Sequence, residues 1–217
     1  MKKVWKIFLV DDHSLFRDGL KFILKQTKDI RVCGEASNGF DFLKKLRIHR
    51  PDVVLMDISM PEMDGIETSI LALKKLPDLK ILALTMITDE QMLRKIIMAG
   101  VKGFLTKESD PEELIEAIRN VAAGNSHFST QIMAKIMKSF PSFSRGELPL
   151  AQNIKLTQRE NHILKMICEG LSNKEISERI KLSQRTVEGI RSGLLNKTGT
   201  ANSLNLALFA YHNNLIK

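Results

Sequence analysis

Cysteine is scarce: the chain carries two in 217 residues, Cys33 and Cys168, far apart and without metal-ligand spacing. That argues against a disulfide scaffold or a zinc module, and both thiols are expected to be buried and reduced. No apolar run approaches the roughly 20 residues that span a bilayer. No proline- or glycine-rich tract signals disorder, and no segment recurs at a fixed period. The opening stretch MKKVWKIFLVDD is basic and then apolar, as a secretory signal would be. Its apolar run is broken by Lys6, ends on an acidic pair and has no small-residue cleavage site. A strand is expected there instead, and with it a cytoplasmic protein that does not contact the membrane.

What is present is an ordinary globular composition, 43% hydrophobic, in a chain long enough for one large domain or two modest ones. Charge is unevenly divided. Residues 1–124 hold 20 basic and 19 acidic side chains, and residues 125–217 hold 13 and 6. Nearly all of the net +8 therefore sits in the C-terminal part, where a polyanion would be attracted.

In the first part, β-prone runs alternate with helical patterns: KIFLV (6–10), RVCGEA (31–36), DVVLM (52–56), KILALT (80–85) and GFLTK (103–107). Between them lie stretches such as SLFRDGLKFILKQT, with Leu15, Phe16, Leu20, Ile23 and Leu24 at helical spacing. Strands that alternate with helices predict a doubly wound, five-stranded parallel sheet covered on both faces. A last helix opens at Asp110-Pro111 and stops near Gly124. HFSTQIMAKIMKSF suggests one more helix, and PSFSRGELPLAQN (141–153) reads as a linker. The remainder is helical throughout. Thr157 with Glu160 and Ser172 with Glu175 have capping-box spacing, a third helix opens at Ser183, and a fourth covers about 202–212. The predicted domains are 1–124, a linker with a helix at 125–153, and a small four-helix domain at 154–217.

VVLMDISMPEMDG (53–65) carries a buried-strand pattern straight onto a carboxylate, Asp57, and then stops it with Met60-Pro61 and Asp64-Gly65. In an open parallel sheet, ligands bind beyond the carboxyl ends of the strands. The polar groups at those ends are Asp11 and Asp12, Asp57, Thr85 and Lys107. Singly, each has a plain explanation as a helix cap or a solvated strand end. Together they suit attack of a carboxylate on phosphorus, with a hard divalent ion held by the acids. Lys107 and the Thr85 hydroxyl would then bind phosphoryl oxygens.

LVDD, LMDISMPEMDG, LALT and GFLTK, in that order, resemble the receiver domain of two-component response regulators, a flavodoxin-like fold, over about residues 4–124. The resemblance implies Asp57 as phosphoacceptor, and Asp11, Asp12, Asp57 and the Ser59 backbone carbonyl as ligands of Mg²⁺ or Mn²⁺. It also implies Lys107 as the phosphoryl-binding cation, Thr85 as the conformational switch and Phe104 as the rotating aromatic, here without a hydroxyl. Glu108 stands where many receivers have proline.

The helices of the C-terminal part, two of them separated by Lys181-Leu182, suggest a helix-turn-helix. LTQRE, EGLSNKEI and SQRTVEGIR are similar to the DNA-binding domain of the LuxR/NarL/FixJ type. On the third helix, Val187, Ile190 and Leu194 are expected in the core. Gln184, Arg185, Glu188, Gly189 and Ser192 are expected toward the major groove, with Lys174, Arg191 and Lys197 on phosphates. Glu188, Gly189 and Gly193 depart from the family pattern. The expected function is a transcription regulator that takes a phosphoryl group from a sensor histidine kinase and binds double-stranded DNA as a homodimer. A receiver-controlled protein-interaction module is the first alternative. An aspartyl-phosphate phosphotransferase or phosphatase is the second, disfavoured because Ser59 stands where a second carboxylate would be needed.

Overall fold

A computed structural model describes residues 4–86, 90–128, 154–213 and 215–216. The chain divides into two compact units, Met1–His127 and Phe128–Lys217. The expected linker and its helix lie outside the described residues from 129 to 153.

In the first unit, β1 (Trp5–Val10), β2 (Ile30–Ala36), β3 (Val53–Asp57), β4 (Ile81–Thr85) and β5 (Gly103–Thr106) alternate with α1 (Ser14–Lys25), α2 (Gly39–His49), α3 (Gly65–Lys75) and α4 (Glu90–Met98). A fifth helix, α5 (Pro111–Ala122), follows β5. The strands pair in the order β2-β1-β3-β4-β5, every pair parallel, as helical crossovers require. Central β3 and β4 are buried at every residue, whereas edge strand β2 is partly exposed. Hence β3 and β4 show no polar alternation, and β2 carries Arg31 and Glu35.

Alternate residues serve opposite faces. Ile7, Leu9, Val53, Leu55, Leu82, Leu84 and Leu105 pack with Leu20 and Leu24 of α1 and Leu114 and Ile118 of α5. Phe8 points the other way, its ring centroid 5.3 Å from that of Phe42 on α2. Burial of such a ring contributes about 2–3 kcal/mol. Beyond α5 the chain returns along the outer edge of β5. The His127 amide donates to the Lys102 carbonyl at 2.9 Å, and the Phe104 amide donates to the His127 carbonyl at 3.1 Å.

The second unit comprises α6 (Gln158–Cys168), α7 (Asn173–Ile180), α8 (Gln184–Thr198) and α9 (Ser203–His212). Thr157 with Glu160 and Ser172 with Glu175 close the capping boxes that their spacing predicts. Asn202, which no motif flagged, caps α9 by accepting from the Asn205 amide. Ile163, Leu164, Ile167, Ile176, Val187, Leu194 and Leu206 form the core. Lys181 ends α7 in the left-handed region at φ 55°, and Ser183 opens α8 two residues later. That tight turn sets the second helix of the pair across the first. Both cysteines are free and only half-buried, less enclosed than expected. Burial pushes the Cys168 thiol up to about 12, so it stays protonated at neutral pH.

Candidate functional site

Strand register brings the first cluster together. Val10 pairs with Met56, so Asp11 and Asp57 stand one step further along at the same rim. Asp57 pairs with Leu84 and Thr85 with Thr106, which carries Thr85 and Lys107 to that rim as well. Because β1 lies between β2 and β3, the loops after β1 and β3 part there and open a crevice.

Asp57 and Asp11 are buried and share one cation. Lys107 Nζ lies 2.8 Å from Asp57 Oδ2 and 2.7 Å from Asp11 Oδ2, with the Phe16 ring 4.8 Å beneath it. The Ser59 amide donates to Asp57 Oδ1 at 3.1 Å. Burial pushes the Asp57 carboxyl above the usual carboxylate range, against the pull of the Lys107 hydrogen bond, and the Asp11 charge adds to the push. Burial also opposes the Lys107 charge, yet hydrogen bonds to Asp11 and Asp57 outweigh it and hold the ammonium above the usual lysine value. Arg17 donates to the Asp11 carbonyl at 2.6 Å, and the His13 amide donates to Asp11 Oδ1 at 2.8 Å.

Asp64-Gly65 proves to be more than a turn. Asp64 caps α3 by accepting from the Glu67 amide at 2.7 Å. A Cβ on Gly65 would collide with the Asp57 carbonyl oxygen. Only glycine lets the start of α3 pass this close to the Asp57 backbone. Thr85 is fully buried at the end of β4, and its carbonyl accepts from the Lys107 amide at 2.9 Å. Phe104 is buried in β5. Sequence reasoning missed His13, whose Nδ1 lies within the same 4.8 Å cluster of possible ligand atoms as Asp11, Asp12 and Asp57. The helix-cap explanation considered for Asp11 and Asp12 did not extend to the ring beside them.

The second candidate surface is α8 with its partner α7. Gln184, Arg185, Glu188, Gly189, Ser192, Lys197 and, on α7, Lys174 are all exposed. Lys197 also donates to Glu160 Oε1 at 2.6 Å. Arg191 requires correction. Its side chain is buried, donating to Ser203 Oγ at 2.7 Å and to the Leu171 carbonyl at 2.9 Å, so it braces the unit from within rather than facing a phosphate. Burial pushes this guanidinium down to about 10. A signal existed: residues 187, 191, 194 and 198 form one helical stripe, and all are buried. Ile190, assigned to the core from sequence, is half-buried. A Cβ on Gly189 or Gly193 would meet open space, so packing within the unit requires neither glycine.

Residues 7–119 match the family described as response regulator receiver domain, and residues 155–210 match the bacterial regulatory proteins of the luxR family. The transcriptional regulatory protein YhcZ of Bacillus subtilis is 38% identical over 97% of each chain. The DNA-binding transcriptional activator DevR/DosR of Mycobacterium tuberculosis is 34% identical over 94% of this chain and 93% of its own. A crystal structure of a LuxR-family two-component response regulator from Aurantimonas superposes with a TM-score of 0.60 at 31% identity, covering 63% of this chain and 98% of that one. Among the described residues, no helix is long and apolar enough to cross a membrane.

Proposed function

This chain belongs to the two-component response regulators that join a receiver to a LuxR-type DNA-binding domain, and from that premise we propose that phosphoryl transfer to Asp57 controls it. The chain is a DNA-binding transcription regulator; the donor, in this reading, is a sensor histidine kinase. The single observation that carries the proposal is the pair of contacts from Lys107 to Asp57 and Asp11, 2.8 and 2.7 Å. An oxygen of Asp57 forms the bond to phosphorus as the bond to the kinase nitrogen breaks. Lys107 is already in place to exchange a carboxylate oxygen for a phosphoryl oxygen.

Asp11, Asp12 and Asp57 suit a hard divalent ion. Their oxygens lie within 4.8 Å of one another, and Asp12 Oδ1 is a buried atom with His13 Nδ1 2.9 Å away. Mg²⁺ or Mn²⁺ held there, with the Ser59 carbonyl as a further ligand, would offset the charge that builds up on the transferring group. Asp11 and Lys107 fix the Asp57 carboxylate, and the sheet behind it excludes water. Phosphorylation shifts the receiver between two arrangements only through contacts that differ between them. Thr85, buried at the end of β4, and Phe104, buried within β5, are the groups assigned to that change.

In the output domain, Gln184, Arg185, Glu188, Gly189 and Ser192 form the reading face of α8, with Lys174 and Lys197 on the flanking phosphates. The active species is a homodimer on two half-sites, the protein is cytoplasmic, and it catalyses no turnover of an external substrate. The domains run 1–124 and 154–217, with 125–153 between them. The test is incubation with Mg²⁺ and a small phosphodonor beside an Asp57→Asn variant. Phosphate should appear on the wild type alone, together with tighter, salt-sensitive DNA binding. Equal labelling of both proteins would overturn the assignment.

A further inference from the structure

The Asp11 carboxylate faces two ways. Its Oδ2 meets Lys107, whereas its Oδ1 accepts from the His13 amide and stands 3.4 Å from His13 Nδ1. The same nitrogen lies 2.9 Å from Asp12 Oδ1. His13 occupies the N-cap position of α1, where a side chain ordinarily turns back onto the helix amides, yet its ring makes no capping hydrogen bond. It turns instead toward two carboxylates. A bare imidazole lone pair aimed at carboxylate oxygens is repelled, so that arrangement calls for a cation or a proton between them. In an octahedral shell with bonds of 2.0–2.1 Å, adjacent donors stand about 3.0 Å apart and opposite ones about 4.2 Å. The nitrogen's distances to its two carboxylate neighbours bracket the first of these values. Among the described residues, His13 is the one nitrogen donor in this cluster of four possible ligands.

We propose that His13 supplies a nitrogen ligand to the divalent ion at this rim and biases the site from Mg²⁺ toward imidazole-favouring ions such as Mn²⁺ and Ni²⁺. This rests on the metal-assisted reading of the Asp57 site and goes beyond it. Mg²⁺ selects oxygen ligands and dehydrates reluctantly, whereas imidazole nitrogen strengthens binding along the series from Mn²⁺ to Ni²⁺. The ring is two-thirds exposed, so its replacement leaves the core intact. The occupancy of this pocket would then follow transition-metal availability as well as Mg²⁺.

The full chain would be titrated calorimetrically with Mg²⁺, Mn²⁺ and Ni²⁺ in mildly alkaline, non-coordinating buffer, alongside His13→Ala and Asp12→Asn. Pulsed electron paramagnetic resonance of the Mn²⁺-loaded protein would report bound nitrogen directly. His13→Ala is expected to weaken Ni²⁺ binding about tenfold or more and Mg²⁺ binding about twofold or less, and to abolish the nitrogen modulation. Asp12→Asn is expected to weaken all three ions, which separates this site from adventitious surface histidines. Unchanged affinities in His13→Ala, with no nitrogen modulation in the wild type, would overturn the proposal while leaving the acidic site standing. Failure of the wild type to bind any of the three ions would overturn the metal-assisted reading as well.

Discussion

The two units of this protein keep the charges of their candidate sites in opposite places. In the receiver, Asp57, Asp11 and Lys107 are almost fully withdrawn from water, and both carboxylates are bound to the ammonium. In the DNA-binding unit, Arg185, Glu188 and Lys174 stand in solvent on helices held by caps and an apolar core. Desolvated groups interact strongly and depend on tight backbone geometry, so disturbing them alters stability along with chemistry. Exposed groups on a rigid helix can be exchanged with little cost to the fold. Arg191 breaks the pattern, since it is the C-terminal unit's own buried charge.

That contrast can be tested by substitution. Gly65→Ala should have the largest effect, because the new Cβ collides with the Asp57 carbonyl. The receiver should lose about 3 kcal/mol or more in urea denaturation and accept phosphate poorly. Arg191→Ala should destabilise the DNA-binding unit by about 1–3 kcal/mol, since the half-buried Leu171 carbonyl and Ser203 hydroxyl lose their donor. A scan that left this transition unmoved would return Arg191 to the surface. Arg185→Ala should weaken duplex binding about tenfold, about 1.4 kcal/mol, with thermal unfolding unchanged; gel shifts at several salt concentrations would measure it.

Gly189→Ala should go the other way, stabilising α8 by about 0.5–1 kcal/mol, because the position is an open helix interior. The smallest effect concerns pH. The folded state raises the Asp57 pKa, so this group favours folding below the ordinary carboxylate value of about 3.9. It loses that contribution as pH rises through the folded value. At neutral pH the ionised side chain opposes folding, and Lys107 keeps Asp11 when Asp57 is neutralised. Asp57→Asn should therefore raise the receiver's Tm by about 1–3 °C at neutral pH. The gap should narrow in acid, and a falling Tm would contradict the assigned sign.

Much of the architecture was legible in the sequence. Continuous apolar runs such as Val53–Met56 mark strands buried on both faces, and Thr157 with Glu160 marks a helix start through purely local hydrogen bonds. The strand-end carboxylates were legible because a parallel sheet sends every carboxyl end to one rim. Other features were hidden for definite reasons. Arg191 was read by its charge, although its position in the 187–194–198 stripe was the better guide. His13 was not singled out, since the direction of its ring depends on two carboxylates that capping rules ignore. The demand for glycine at 65 depends on how closely α3 passes Asp57, a distance no local pattern encodes.

His127 lies against the outside of β5, occupying the backbone groups of Lys102 and Phe104 that would otherwise be open to another chain. Unpaired strand margins invite sheet-to-sheet growth and aggregation. With the start of that margin occupied by the polypeptide's own next turn, a second copy could extend the sheet along the whole of β5 only after displacing His127. That small obstruction favours pairing through side chains, whose fit can change with signalling state, over a ladder of main-chain bonds that would lock copies together.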